Sequence, residues 1–179
     1  WDAAGVVTAV GEKVSTYKVG DKVYFAGDLT RQGCNAEYQC VDERIVGKMP
    51  QTLSFSEAAA LPLTAITAWE LLFDRLGLKS TSDSSDDVIM VTGAAGGVGS
   101  ILTQLAKCLT AAKVIGTASR EESQAWVKSM GADLVVNHHQ NLELQLKEYG
   151  VSSITHVASL THTDQHYKKL VELMKPQSK

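Results

Sequence analysis

The residues with the clearest chemical meaning lie in one short stretch, Gly93-Ala94-Ala95-Gly96-Gly97-Val98-Gly99. An apolar run, Val88–Thr92, leads into it, and an apolar helical pattern leaves it. Ala94-x-Gly96-x-x-Gly99 fits the dinucleotide fingerprint with alanine at the first position, and each position has a physical task. A small first residue permits a tight turn. A side chain at Gly96 would hold the backbone away from a pyrophosphate. A side chain at Gly99 would hold the helix away from the strand. The free N–H groups and the dipole of the helix N-terminus then favour the anion. The plainer reading of the same residues is a glycine-rich turn that only needs close packing.

A second short stretch bears on which dinucleotide would bind. An NAD site usually carries Asp or Glu about 20 residues further on, for the ribose 2′-OH. Here the second strand ends Gly116-Thr117-Ala118-Ser119-Arg120. Ser119 holds the expected position and Arg120 stands beside it. A neutral donor next to a guanidinium suits a 2′-phosphate, because arginine makes charge-assisted, often bidentate bonds to it. NADPH is therefore favoured over NADH. Glu121 and Glu122 read as first-turn residues favoured by the helix dipole.

Other groupings carry less. His162 and His166 have helical spacing but no third ligand, which reads as two solvated histidines at a helix start. Thr161 or Thr163 is expected to cap that helix. Cys34 and Cys40 lack a second pair, so no zinc site is read. His138-His139 follows a strand at the ligand edge of a sheet, where loop polarity alone explains them equally well. Trp69 and Phe73 are expected in the core.

These groups need a frame. Short segments broken by Gly and Asp make the first part β-rich, as in a small barrel or sandwich. Strands are expected at Ala4–Val10, Lys22–Phe25 and Ala36–Val41. Ser54-Phe55-Ser56-Glu57 has the form of a capping box, and Pro62 should interrupt the helix behind it. A second helix places Ile66, Trp69, Phe73 and Leu76 on one face and stops at Gly77. Residues 79–87 are polar and unpatterned, as in a surface loop. From Val88 strand and helix alternate. Strands are expected at Val88–Val91, Lys113–Thr117, Leu134–Asn137 and Ile154–Ser159. Helices are expected at Ser100–Leu109, Glu121–Met130, Leu142–Tyr149 and Gln165–Met174. Four βα units in order predict an α/β fold with a doubly wound parallel sheet.

The chain has 179 residues, with 17 Lys+Arg against 20 Asp+Glu for a net charge of −3. That balance argues against a nucleic-acid surface. No apolar run approaches the roughly 20 residues of a membrane span, and Trp1-Asp2-Ala3 does not open a signal peptide. Three cysteines without a C-x-x-C pair fit unpaired thiols in a reducing, cytoplasmic setting.

Ala3-Ala4-Gly5-Val6-Val7, Val19-Gly20-Asp21-Lys22-Val23, Ala36-Glu37-Tyr38, Glu57-Ala58-Ala59-Ala60-Leu61-Pro62, Thr67-Ala68-Trp69 and Gly93–Gly99 with Gln104-Leu105-Ala106-Lys107 follow a familiar order. Together they resemble the medium-chain dehydrogenase/reductase superfamily. Within it the chain is similar to the quinone oxidoreductase branch, and more closely to bacterial zinc-type alcohol dehydrogenase-like proteins. The resemblance implies part of a GroES-like β-barrel domain over residues 1–62 and a Rossmann domain, lacking its last strands, over 63–179. It also implies that the sequence is a piece of a longer chain, cut within the first domain and again after the fourth βα unit. An exposed sheet edge and half a barrel should follow.

The resemblance also implies site roles. Thr67 should lie near the nicotinamide half of the cofactor, with Ala95, Gly96, Gly97 and Val98 at the pyrophosphate. Ser119 and Arg120 fall at the 2′-phosphate and His138 at the adenosine end. Ser159, Leu160 and Thr161 flank the nicotinamide, and Asn35 lies near the substrate cleft. Zinc-dependent members carry a histidine ligand where this chain has Trp1, so a catalytic zinc is not expected. The implied function is hydride transfer from NADPH to a quinone or α,β-unsaturated carbonyl. The alternatives are an NADPH-binding module without turnover and a zinc-dependent alcohol dehydrogenase. The residues name no proton donor: Tyr24 and Tyr38 could serve, but buried barrel tyrosines are the simpler reading. A homodimer joined through absent edge strands is implied for the full-length protein.

Overall fold

The computed structural model describes residues 1–80 and 86–179. The expected loop at residues 79–87 thus falls partly outside the described residues. The chain divides into two compact units, Trp1–Ile66 and Thr67–Lys179.

The first unit is a small antiparallel ribbon with a helical end. Strands β1 (Ala3–Val6), β2 (Lys22–Phe25) and β3 (Gly47–Lys48) pair in that order. Ala4 faces Tyr24, and Tyr24 faces Gly47. The first strand is shorter than Ala4–Val10. The ladder continues only through Val7, which bonds Asp21 and Gly20. Beyond it the partner chain turns, with the Asp21 carboxylate accepting from Lys18 N–H at 2.9 Å. The expected strand at Ala36–Val41 is absent: both edges of β2 are taken by β1 and β3, and an alternating pattern without a partner gains no ladder. Tyr38 is accordingly 76% exposed rather than buried in a barrel. A recess of about 480 Å³ opens beside β1, lined by Val6, Val14, Phe25 and Val41 among others.

Helix α1 (Phe55–Ala59) begins with both halves of the capping box. The Ser54 N–H donates to Glu57 Oε2 at 2.8 Å, and Glu57 N–H reaches Ser54 Oγ. Pro62 opens helix α2 (Pro62–Trp69), the position where its missing N–H costs nothing. Asp2 Oδ1 accepts the Leu63 N–H at 2.8 Å.

After Trp69 the helix widens into a π-helical turn, Glu70–Arg75, in which Leu76 N–H bonds the Leu71 carbonyl. The buried face is Ala68, Leu72 and Leu76; of the expected stripe Leu76 is buried, while Ile66 and Trp69 are about half exposed. Trp69 meets Phe73 in a tilted contact, ring centroids 4.7 Å apart. Phe73 only borders the core.

The second unit carries the parallel sheet. β4 (Val88–Thr92), β5 (Lys113–Thr117), β6 (Leu134–Val136) and β7 (His156–Ser159) lie in the order β6-β5-β4-β7, all parallel. Ile89, Met90 and Val91 are wholly buried, as a strand covered on both faces requires. One face packs Ile89, Val91 and Val114 under Leu102, Ala106 and Val127 of α3 (Gly97–Leu109) and α4 (Glu121–Ser129). The other packs Met90, Ile115 and Val136 under Leu142, Leu146 and Leu170 of α5 (Leu142–Glu148) and α6 (Thr163–Leu173). On the outer side of β7, Lys179 exchanges backbone bonds with Thr155 and Val157 at 3.0 and 2.8 Å. The fold is α/β with a Rossmann-like sheet. Among the described residues no helix is long and apolar enough to cross a membrane.

Candidate functional site

The glycine turn joins the buried end of β4 to α3. Gly93 has φ +69°, and its carbonyl accepts the Gly96 N–H at 3.0 Å. The tight turn is therefore made by Gly93, not by Ala94 as the fingerprint alignment suggested. Ala94 is small for another reason: it is fully buried, 3.0 Å from where a Cβ at Gly116 would stand. Gly96 and Gly99 also differ. A Cβ at Gly99 would come within 2.6 Å of Ala94 Cα and 2.7 Å of its carbonyl carbon, so helix packing excludes it. A Cβ at Gly96 would meet only the Gly93 carbonyl oxygen, at 3.3 Å. Gly96 and Gly97 are exposed at the start of α3, where the first N–H groups of a helix lack intrahelical partners. The turn thus offers a bare, donor-rich surface that would suit an anion held close to the backbone.

The strand order sets the neighbours of this turn. Parallel strands end on one side, so β6-β5-β4-β7 lines up His138, then Ser119 and Arg120, then Ala95–Val98, then Ser159, Leu160 and Thr161. The order reverses between β4 and β7, the position where open α/β sheets form a ligand crevice. Ser119 is half-buried, while Arg120 is exposed at the N-cap of α4 and makes no side-chain capping bond.

At the β7 end, the buried Thr92 hydroxyl accepts the Leu160 N–H at 3.1 Å. Thr161 Cγ2 lies 2.7 Å from the position of a Cβ at Gly93. Thr161 and Thr163 do not cap α6. His162 occupies the N-cap in a left-handed conformation (φ 50°) without a side-chain cap bond. The Thr161 hydroxyl instead pairs with His162 Nδ1 at 2.7 Å, and the Thr163 hydroxyl with Ser159 Oγ at 2.8 Å.

The histidines are closer together than their sequence positions suggested. The His138 ring lies 4.5 Å from that of His139 and 5.6 Å from that of His166. His166 is not a solvated helix-start residue: it is half-buried, and its Nδ1, like that of His138, is buried without a hydrogen bond. Burial first, then the charges of His139, His166 and His162, hold the His138 pKa below the ordinary value. The signal available in sequence was helical spacing, since His166 lies one turn before the buried Leu170. Sequence reading also missed Thr92, whose side chain ties the ends of β4 and β7 together, and Ser100 and Trp126, whose side chains link α3 to α4 at 2.8 Å.

The remaining predicted residues lie on other elements than the strand ends of the sheet. Thr67 is exposed on α2, and Asn35 is exposed in the first unit. Tyr24 is half-buried, its ring against Gly47. All three cysteines are free. Among the described residues no group of three or more His, Cys, Asp or Glu side chains is placed to hold a metal ion.

Known proteins carry the same pattern. Residues 1–51 match the family model for the alcohol dehydrogenase GroES-like domain, and residues 97–179 that for zinc-binding dehydrogenases. A zinc-type alcohol dehydrogenase-like protein of Staphylococcus epidermidis is 41% identical over 177 residues, 98% of this chain and 52% of the relative. A crystal structure of a Rhizobium etli protein assigned as a zinc-dependent alcohol dehydrogenase is 49% identical. It has a TM-score of 0.91 and matches 99% of this chain and 52% of its own. Escherichia coli quinone oxidoreductase, solved with NADPH, is 29% identical with a TM-score of 0.80 over the same shares, 99% and 52%. The chain thus spans about half the length of the relatives it matches. With both of the domain types matched in order around a Rossmann-like sheet, the chain belongs to the medium-chain dehydrogenase/reductase superfamily.

Proposed function

We propose that this chain supplies the NADPH site of an oxidoreductase that transfers hydride to a quinone or an α,β-unsaturated carbonyl without zinc. The observation that carries the reading is the strand-end row. A bare glycine turn sits beside a strand that ends in Ser119 and Arg120 rather than in an acid. Gly96, Gly97 and Val98 would receive the diphosphate, Arg120 and Ser119 the 2′-phosphate, and His138 would border the adenosine end. Ser159, Leu160 and Thr161 would flank the nicotinamide across the crevice, with Thr67 and Asn35 as further cofactor and cleft residues. When bound, NADPH supplies the hydride; the protein's part is to orient it and keep the crevice dry. The names of relatives support the substrate class: one is a 2-methylene-furan-3-one reductase of tomato, 42% identical over 146 residues, and another is the quinone oxidoreductase above.

Relatives named for zinc favour a second reading, a zinc-dependent alcohol dehydrogenase. Among the described residues no group of three or more His, Cys, Asp or Glu side chains is placed to hold that metal. A homodimer of the full-length protein belongs to the same proposal.

Calorimetric titration with NADPH and NADH, repeated on Arg120→Ala, tests the site. NADPH should bind more tightly, and the variant should lose about 1–3 kcal/mol of that preference, the scale of a charged hydrogen bond. Equal affinities in the unmodified protein would overturn the assignment of Ser119 and Arg120. Quinone reduction by the full-length protein, with elemental analysis, separates turnover from simple binding. Stoichiometric zinc would overturn the metal-free reading.

A further inference from the structure

Between the proposed diphosphate and 2′-phosphate positions runs a hydrogen-bond chain through three residues. The Trp126 indole N–H donates to Ser100 Oγ at 2.8 Å. The Ser100 hydroxyl donates in turn to the Gly96 carbonyl at 2.8 Å, which also accepts the Ser100 backbone N–H at 2.9 Å. One hydroxyl has one donor and two lone pairs, so both links are satisfied by a single orientation of Ser100. The chain begins on α4, the helix that Arg120 caps, and ends on the N-cap of α3. α4 is also held by Val127, wholly buried in the core layer and seated over Gly116, and by the Gln124 side chain, which donates to the Ala118 carbonyl at 3.1 Å. These contacts fix the height of the helix above the sheet. The Trp126–Ser100 bond is directional, and it spans from one helix to the other.

We infer that Trp126 is a positioning residue for cofactor selection, acting through Ser100 to hold Arg120 and Ser119 in register with Gly96. The inference rests on the NADPH reading above. NADPH carries two anionic groups, and both are engaged at once only if the two loops keep their spacing to about 0.5 Å. NADH presents to this pair of loops the diphosphate and a neutral 2′-OH, with no second anion for Arg120 to hold. Loss of the link should therefore weaken NADPH more than NADH. Trp126 is half exposed, so a role in the core does not account for it.

The test is a calorimetric titration of NADPH and NADH against the unmodified protein, Trp126→Phe, Ser100→Ala and the double variant. Trp126→Phe keeps an aromatic ring and removes the donor. Each single variant should lose about five-fold in NADPH affinity, the scale of one neutral hydrogen bond, with NADH affinity unchanged. The double variant should be no weaker than either single one, since all break the same link. A parallel fall in both affinities, an unchanged NADPH-to-NADH ratio, or additive losses would each overturn the inference. Ser100→Ala covers the case in which Trp126→Phe fails to fold. Arg120→Ala separates the two readings. If it leaves selectivity untouched, the 2′-phosphate site itself is wrong. If it abolishes selectivity while Trp126→Phe does not, only the positioning role falls.

Discussion

The two units are built on opposite terms. In the second, Ile89, Met90, Val91, Val114 and Ile115 are wholly buried between two helical layers. In the first, β1 has no buried residue, and Val6 and Val10 are 49% and 44% exposed. A parallel sheet must be covered on both faces to exist at all. An antiparallel ribbon satisfies its backbone with one neighbour and tolerates an open side, here the recess beside β1. The buried sheet is thus the rigid part, and its strand ends can hold a ligand geometry that a short ribbon could not.

The largest effect that would break this contrast lies at Gly99. Gly99→Val drives a side chain into the backbone of Ala94, and backbone cannot yield as a flexible side chain does. The loss of stability should exceed about 4 kcal/mol, read as collapse of the main transition in urea unfolding. Gly96→Ala should leave that transition nearly unchanged and remove cofactor binding in calorimetry, because only the Gly93 oxygen stands near its Cβ.

Next in size are paired truncations in the two units. Met90→Ala, in the fully buried strand, should cost about 3 kcal/mol in urea unfolding. Val10→Ala, in the exposed stretch after β1, should stay within about 0.5 kcal/mol. Similar values for the two would erase the distinction drawn between the units. Ser54→Ala sharpens it on a smaller scale. It removes the side-chain half of the capping box at α1, and unfolding should show a loss of about 1 kcal/mol.

The smallest effect is a pH dependence confined to the second unit. Burial lowers the pKa of His138 and of His156, so the unfolded chain takes up protons before the folded one does. Their stability contribution is full above about pH 6.5 and falls as the pH drops below it towards the lowered folded values. Thermal unfolding at pH 7.5 and 5.5 should show a lower midpoint in acid. His138→Gln should reduce that difference, and an unchanged difference would exclude His138 as a source.

Much of this is legible in the sequence, for identifiable reasons. The capping box at Ser54, the buried strand at Val88–Val91 and the four βα units rest on local spacing, which repeats through the chain. The glycine turn was placed correctly, although the residue that bends it is Gly93 and not Ala94. The strand expected at Ala36–Val41 failed because alternation describes a strand's faces and does not provide a neighbour. Of the expected stripe of Ile66, Trp69, Phe73 and Leu76, only Leu76 is buried: the covered face runs through Ala68, Leu72 and Leu76 at four-residue steps, and which face of a helix is covered depends on what packs against it. The cap of α6 failed because the two threonine hydroxyls found side-chain partners, in His162 and Ser159, instead of backbone N–H groups.

By itself, then, the sequence determined which segments are strands and helices in the second unit, and which side of the sheet would carry the glycine turn and Arg120. Local hydrophobic period and chain direction are enough for that. Only the tertiary structure decided which distant residues meet: Trp126 with Ser100, Thr92 with Leu160, His138 with His166. Those pairs depend on strand order and on where each helix settles across the sheet, and no residue's neighbours along the chain carry that information.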